Sequence, residues 1–147
     1  MYRRILVATD GSTLSKKAVR SGIDMAAATG AELVVLHVVP RYPMSYIEGA
    51  LTISADEVAQ TEKHWHELGQ AIVDRVQETA LSAGVKAKSV VDHSDMIAES
   101  ILKAAKKHKC DLIVMASHGR KGIKRILLGS ETQHVLTHSD LPVLVLR

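Results

Sequence analysis

The sequence predicts one α/β domain, a five-stranded parallel sheet with helices on both faces. Three observations carry this. Five short runs rich in Val, Ile and Leu alternate with four stretches of three- and four-residue apolar periodicity. Such β-α alternation implies crossover connections and parallel pairing. Most of the runs are apolar at consecutive rather than alternate positions, the pattern of strands buried on both faces. The first four runs end in Asp, Gly, Ser or Pro, residues that turn the chain.

Arg4 to Thr9 (RILVAT) is the first strand, closed by Asp10-Gly11-Ser12. A helix follows from Ser15, with Ala18, Val19, Gly22, Ile23, Ala26 and Ala27 on one face and Gly30 as its stop. Glu32 to Val39 is the second strand, ended by Pro40, and residues Arg41 to Ile53 have no period and read as a loop over the sheet edge. Ser54 and Glu57 form a capping box for a helix reaching Ala83, whose core stripe is Val58, Trp65, Leu68, Ile72, Val76 and Ala80, weakened at Gly69. At ~1.5 Å per residue that helix spans roughly 43 Å, so one end should overhang the sheet. Val85 to Asp92 is an outer strand with Lys86 and Lys88 facing solvent, and Ile97 to Lys107 is a helix with Ile97, Ile101, Leu102 and Ala105 inward. Asp111 to Ala116 is the fourth strand, Ser130 to His138 a helix opened by a second capping box, and Pro142 to Leu146 the fifth strand.

Composition narrows the function. The chain has 147 residues, enough for one domain with a substantial core. No apolar run approaches the roughly 18 residues of a membrane span, and the N-terminal run is too short for a signal-peptide core. A lone cysteine, Cys110, excludes an intramolecular disulfide, so a cytoplasmic location is expected. Net charge is +3, aromatics are 3% and there is no Phe, which removes the stacking platforms of single-strand binders. A small anion suits the basic residues better than a nucleic acid.

The stretch from Asp111 to Thr132 is where such an anion belongs. A buried strand breaks at Ser117-His118-Gly119, crosses Arg120, Lys121, Gly122, Lys124 and Arg125, and re-enters a helix through Gly129-Ser130. Glycines admit close approach of backbone N–H groups, and a helix start offers unpaired donors. Spacing by itself balances a phosphate site against an ordinary solvated connection, since neither the P-loop nor G-x-G-x-x-G is present. Ligands of open α/β sheets bind beyond the carboxyl ends of the strands where the winding reverses. Asp10 and Ala116 to Gly119 meet there if strands one and four are neighbours, which the residues leave open.

Ala116-x2-Gly119-x9-Gly129-Ser130 resembles the ATP-binding signature of the universal stress protein family, glycine-x2-glycine-x9-glycine-serine/threonine. The resemblance extends to ILVATDGS, LHVV, DLIVMASHGRKG, ILLGSET and LPVLVLR, essentially the whole chain. It implies a Rossmann-like sheet of order 3-2-1-4-5, related to the adenine nucleotide alpha hydrolases, with two helices on each side. It also implies a stress-response sensor or switch holding ATP (or ADP or AMP) with Mg2+ or Mn2+. Ala8, Thr9 and Asp10 would line the ribose and metal side, Asp10 being the possible metal contact. Val38 would meet adenine through its backbone, and Met115 and Ala116 would lie under the sugar. Gly119, Gly129, Ser130, Glu131 and Thr132 would hold phosphates, with Ser117, His118, Arg120, Lys121 and Gly122 completing the candidate set. Three positions depart from the family: Ala116 for glycine, Asp95-Met96-Ile97 where glycine-x-proline is frequent, and Glu131 where an apolar residue is common. A homodimer through Val143 to Leu146 is implied as well.

Other candidates read structurally. Asp10 has an alternative as a cap of the first helix. His134 and His138 lie one helical turn apart without a third ligand, His64 and His66 point to different, solvated faces, and Cys110 is a packed thiol. No catalytic constellation emerges, so any ATP hydrolysis is expected to be slow. Two further readings stay open, a dimeric interaction module of the same fold without nucleotide and a slow ATPase or phosphotransferase.

Overall fold

The computed structural model describes residues 1–43, 54–119 and 128–147. In chain order these form β1 (Arg4–Ala8), α1 (Thr13–Thr29), β2 (Glu32–Val39), α2 (Ala55–Ser82), β3 (Ala87–His93), α3 (Ile97–Lys107), β4 (Leu112–Ala116), α4 (Ser130–His138) and β5 (Val143–Leu146). The sheet order is β3-β2-β1-β4-β5, with every pair parallel. Most of the predicted loop after β2, residues 44–53, lies outside the described residues.

Central strands are the most apolar because both of their faces are covered. Ile5, Leu6 and Val7 of β1 are fully buried, yet they serve two cores. Ile5 and Val7 face α1 and α2, together with Leu33, Val35, Leu112 and Val114. Leu6 faces α3 and α4, with Val34, Leu36, Ile113 and Met115. This is the two-residue alternation of a pleated strand. At the amino-terminal ends of the central strands, Asp111 accepts the Arg3 and Arg4 backbone N–H groups at 2.8 and 3.1 Å, and Arg4 pairs with Glu32 at 2.7 Å.

Helix ends follow local chemistry. Ser12 caps α1 by accepting the Ser15 N–H, and Gly30 ends it with a φ of 71°. Ser54 and Glu57 complete the predicted capping box of α2, the Glu57 carboxylate accepting the Ser54 N–H at 2.9 Å. The interior of α2 differs from expectation. Its buried residues are Gly69, Val73 and Ala80, whereas Leu68 is 53% exposed and Val58, Trp65, Ile72 and Val76 are half-buried. Gly69 is the contact point, because a Cβ there would stand 2.7 Å from His37 Cδ2 and 2.9 Å from Val39 Cγ2. The first turns of α2 are mostly exposed, as the overhang required.

Two other expectations shift. In α3 the inward face is Ala98, Ile101, Ala104 and Ala105, while Leu102 is half-buried and Ile97 is 37% exposed. Small alanines let that helix lie close to the sheet. The cap of α4 is Gly129 rather than Ser130, and no side chain caps it.

Candidate functional site

The chain leaves β1 toward one sheet edge through β2 and β3, then returns to β4 and β5 on the other side. The winding therefore reverses between β1 and β4, which pair directly through Ile5↔Leu112 to Val7↔Val114. At the carboxyl ends of these strands and β2 lies a pocket of about 130 Å3. Ala8, Thr9 and Asp10 line it from the end of β1, and Leu36, His37 and Val38 from β2. Met115, Ala116, His118 and Gly119 come from β4 and its loop, Glu131 and Thr132 from α4.

The loop after β4 is tied to the start of α4 by backbone bonds. The Ser117 carbonyl accepts the Gly129 N–H at 2.7 Å, and the Gly129 carbonyl accepts the Gln133 N–H at 3.0 Å. The N–H groups of Ser130, Glu131 and Thr132 form the first turn, where no intrahelical carbonyl is available to them. Ser117 itself is buried, its hydroxyl 2.8 Å from His118 Nδ1. The Thr132 hydroxyl donates to the carbonyls of Ala116 and Ser117, at 3.0 and 3.2 Å. Its proton is thus spent within the fold, and its backbone N–H is what a ligand can use. Gly119 passes so close to Asp10 that an added Cβ would sit 3.3 Å from Asp10 Oδ2.

Contacts within the fold engage several of the candidate residues. Ser12 caps α1 in place of Asp10, whose Oδ1 accepts the Ser12 N–H at 2.9 Å in a tight turn. Glu131 faces α3: Oε2 accepts the Ala98 N–H at 2.9 Å. It thereby satisfies the first turn of a helix whose own cap, Met96, offers no side-chain bond. Ala116 adopts no left-handed backbone, since Lys109 is the one described non-glycine residue with a positive φ. The fold therefore accepts a methyl at that signature position. Asp95 accepts the Arg41 N–H at 3.0 Å and does not line the pocket, where Ile97 takes that wall. Gly129 and Ser130 border the pocket without lining it. Arg120, Lys121, Gly122, Lys124 and Arg125 lie outside the described residues.

Sequence reasoning missed His37. Its Nδ1 lies 2.8 Å from the Thr9 carbonyl. A carbonyl only accepts, so Nδ1 carries the proton and the ring fixes the peptide that leads into Asp10. Ser15, Leu36 and Ile101 were also missed as lining residues. An apolar or small side chain at a strand end gives no signal distinguishing a pocket wall from core.

His66 was expected to be solvated, yet its Nδ1 is 3.1 Å from Nε2 of His93. His134 and His138 stack with centroids 4.2 Å apart on α4. Among the described residues no three metal-ligating side chains gather, and no helix is long and apolar enough to cross a membrane.

The universal stress protein family matches residues 1–147, the entire chain given. The chain belongs to that family. A universal stress protein of Methanocaldococcus jannaschii, MJ0531, is 33% identical, the match covering 100% of this chain and 83% of that protein. Among solved structures, that of MJ0577 from the same organism superposes with a TM-score of 0.81 at 29% identity, covering 99% of this chain and 96% of that one. A universal stress protein solved in complex with cAMP superposes with a TM-score of 0.67 at 26% identity, covering 99% and 97%.

Proposed function

We propose that the chain binds an adenine nucleotide, ATP or its ADP and AMP relatives, with Mg2+ or Mn2+, and acts as a nucleotide-occupied stress-response switch. The observation that carries this reading is the first turn of α4. Its free N–H donors adjoin a largely apolar pocket at the point where the sheet reverses. Apolar walls from Leu36, Val38, Ile97, Ile101 and Met115 suit a base and sugar. The N–H groups of Ser130, Glu131 and Thr132 suit phosphate oxygens, favoured by the helix dipole. The cAMP complex of a family member at 26% identity supports the same ligand class.

Asp10 fits a hard divalent cation, which takes one or two carboxylates and completes its shell with phosphate and water. The bound metal would neutralise phosphate charge. Asp10 would hold it while His37 keeps the Thr9–Asp10 peptide in place. The Glu131 carboxylate is engaged by α3 and is poorly placed to serve as a base. Occupancy, rather than turnover, is the reading this favours. The edge position of β5 supports a homodimer formed by pairing that strand with a second copy.

Equilibrium dialysis with labelled ATP, alongside native mass spectrometry of freshly purified protein, tests the reading. Saturable binding is expected, and Gly119→Val should weaken it at least tenfold by placing a side chain against Asp10. Absence of saturable binding below millimolar ATP, ADP or AMP would refute the proposal and favour a nucleotide-free interaction module.

A further inference from the structure

His66 projects from the middle of α2, and His93 is the last residue of β3. Neither lines the pocket. Their facing nitrogens, Nδ1 of His66 and Nε2 of His93, are 3.1 Å apart. The rings are within 15° of parallel, with centroids 5.0 Å apart. We propose that this pair is a binding site for one late-transition divalent cation of the Zn2+, Ni2+ or Cu2+ class, which would staple α2 to the edge strand.

The separation is the first argument. Two imidazole nitrogens on one cation, each at ~2.0–2.1 Å and at angles between octahedral and tetrahedral, lie roughly 2.9–3.4 Å apart. The two nitrogens therefore already stand at the span of neighbouring ligands. Backbone rigidity is the second. His93 pairs in register with Val39, and Gly69, three residues beyond His66, rests on the side chains of His37 and Val39. Both ligands thus hang from positions fixed by the same strand, which lowers the ordering cost of binding. Access is the third. His93 is exposed and His66 half-buried, so water reaches the site. Since no three ligating side chains gather among the described residues, water completes the coordination.

The donor atoms set the metal class. Imidazole suits Zn2+, Ni2+ and Cu2+, whereas Mg2+ and Ca2+ require oxygen ligands. This site is therefore chemically distinct from the cation proposed to accompany nucleotide. Without metal, the rings share one hydrogen bond, one N–H donating to the other ring's lone pair. Coordination needs both lone pairs, so the donor ring's proton moves to its outward nitrogen. The neutral pair binds with no net proton change, and protonation of either ring opposes binding. His134 and His138 form a competing pair, but Nδ1 of His138 is engaged by the His134 carbonyl at 3.0 Å.

The untagged full chain, stripped with chelator, should be titrated with Zn2+ and Ni2+ by calorimetry and thermal unfolding. One cation per chain is expected, with Tm rising as metal concentration increases, and Mg2+ without effect. His66→Ala and His93→Ala should each weaken binding by more than the roughly 10–100-fold that loss of a supporting contact costs. His66→Gln and His93→Gln, which keep a hydrogen-bonding group, should lose metal as completely. The His134→Ala/His138→Ala double variant should bind as the parent does. No saturable binding by the parent, parent-like affinity in any His66 or His93 variant, or loss confined to the His134/His138 variant would each overturn the proposal.

Discussion

Cys110 follows the C-terminus of α3 and is 6% exposed, and burial pushes its thiol from an ordinary 9.0 up to about 11. An acid whose folded pKa is raised keeps its proton in the native state. Native stability is therefore unaffected by this group at neutral pH and falls as pH rises through about 9, where the unfolded thiol ionises. Alkylation by iodoacetamide at pH 8.5 should be about 100-fold slower in native protein than in urea, because the thiolate is the nucleophile. Mass spectrometry of the modified fraction checks this, and equal rates would show an accessible thiol. The packed thiol was legible in the sequence from its apolar neighbours. The direction of Glu131 was not, since the donor its carboxylate accepts from, the Ala98 N–H, is 33 residues away and on another helix.

At the scale of elements, Gly69 inverts a familiar rule. Replacing a mid-helix glycine with alanine ordinarily stabilises by about 1 kcal/mol. In α2 the new methyl would meet His37 Cδ2 at 2.7 Å and Val39 Cγ2 at 2.9 Å. Gly69→Ala should instead cost about 1–3 kcal/mol, read as a lowered urea midpoint. A rise in the midpoint would mean that the helix moves away from the sheet without penalty. Periodicity located α2 and its capping box, yet it picked the wrong stripe. Glycine reads as a gap in an apolar pattern, and here it is the closest contact. Leu68 carried the pattern but points to solvent because it lies about 100° around the helix from Gly69, which faces the sheet. The cap of α4 fell one residue before the expected one. Ser130 has the right chemistry for a cap, but the bond from Gly129 N–H to the Ser117 carbonyl sets the turn first.

For the whole molecule, the β3-β2-β1-β4-β5 order leaves β5 exposed along one side. The carbonyls of Pro142 and Leu146 accept from β4, so the alternate residues Val143 and Val145 present their backbone outward. Leu144 packs on the α1 side of the core and is a poor place to probe an interface. Val145→Pro removes an outward N–H while sparing the β4 ladder. Sedimentation should then report a monomer where the parent is a dimer. An unchanged dimer would exclude pairing through this edge.

The alternation of elements, the apolar centre of the sheet, the stop at Gly30 and the capping box at Ser54 were determined by the sequence, because each depends on neighbours within one helical turn or one strand. The family signature likewise singled out Gly119, Gly129 and Ser130 as a group. What only the tertiary structure decided is how distant segments meet. The pairing of β1 with β4 sets Gly119 beside Asp10, the Thr132 hydroxyl is turned to the end of β4, Glu131 is drawn to α3, and His37 is laid between Thr9 and Gly69. The physical reason is common to all four. Hydrogen bonds and close packing are satisfied by whatever lies nearest in space, and across a doubly wound sheet the nearest group is seldom near in the chain.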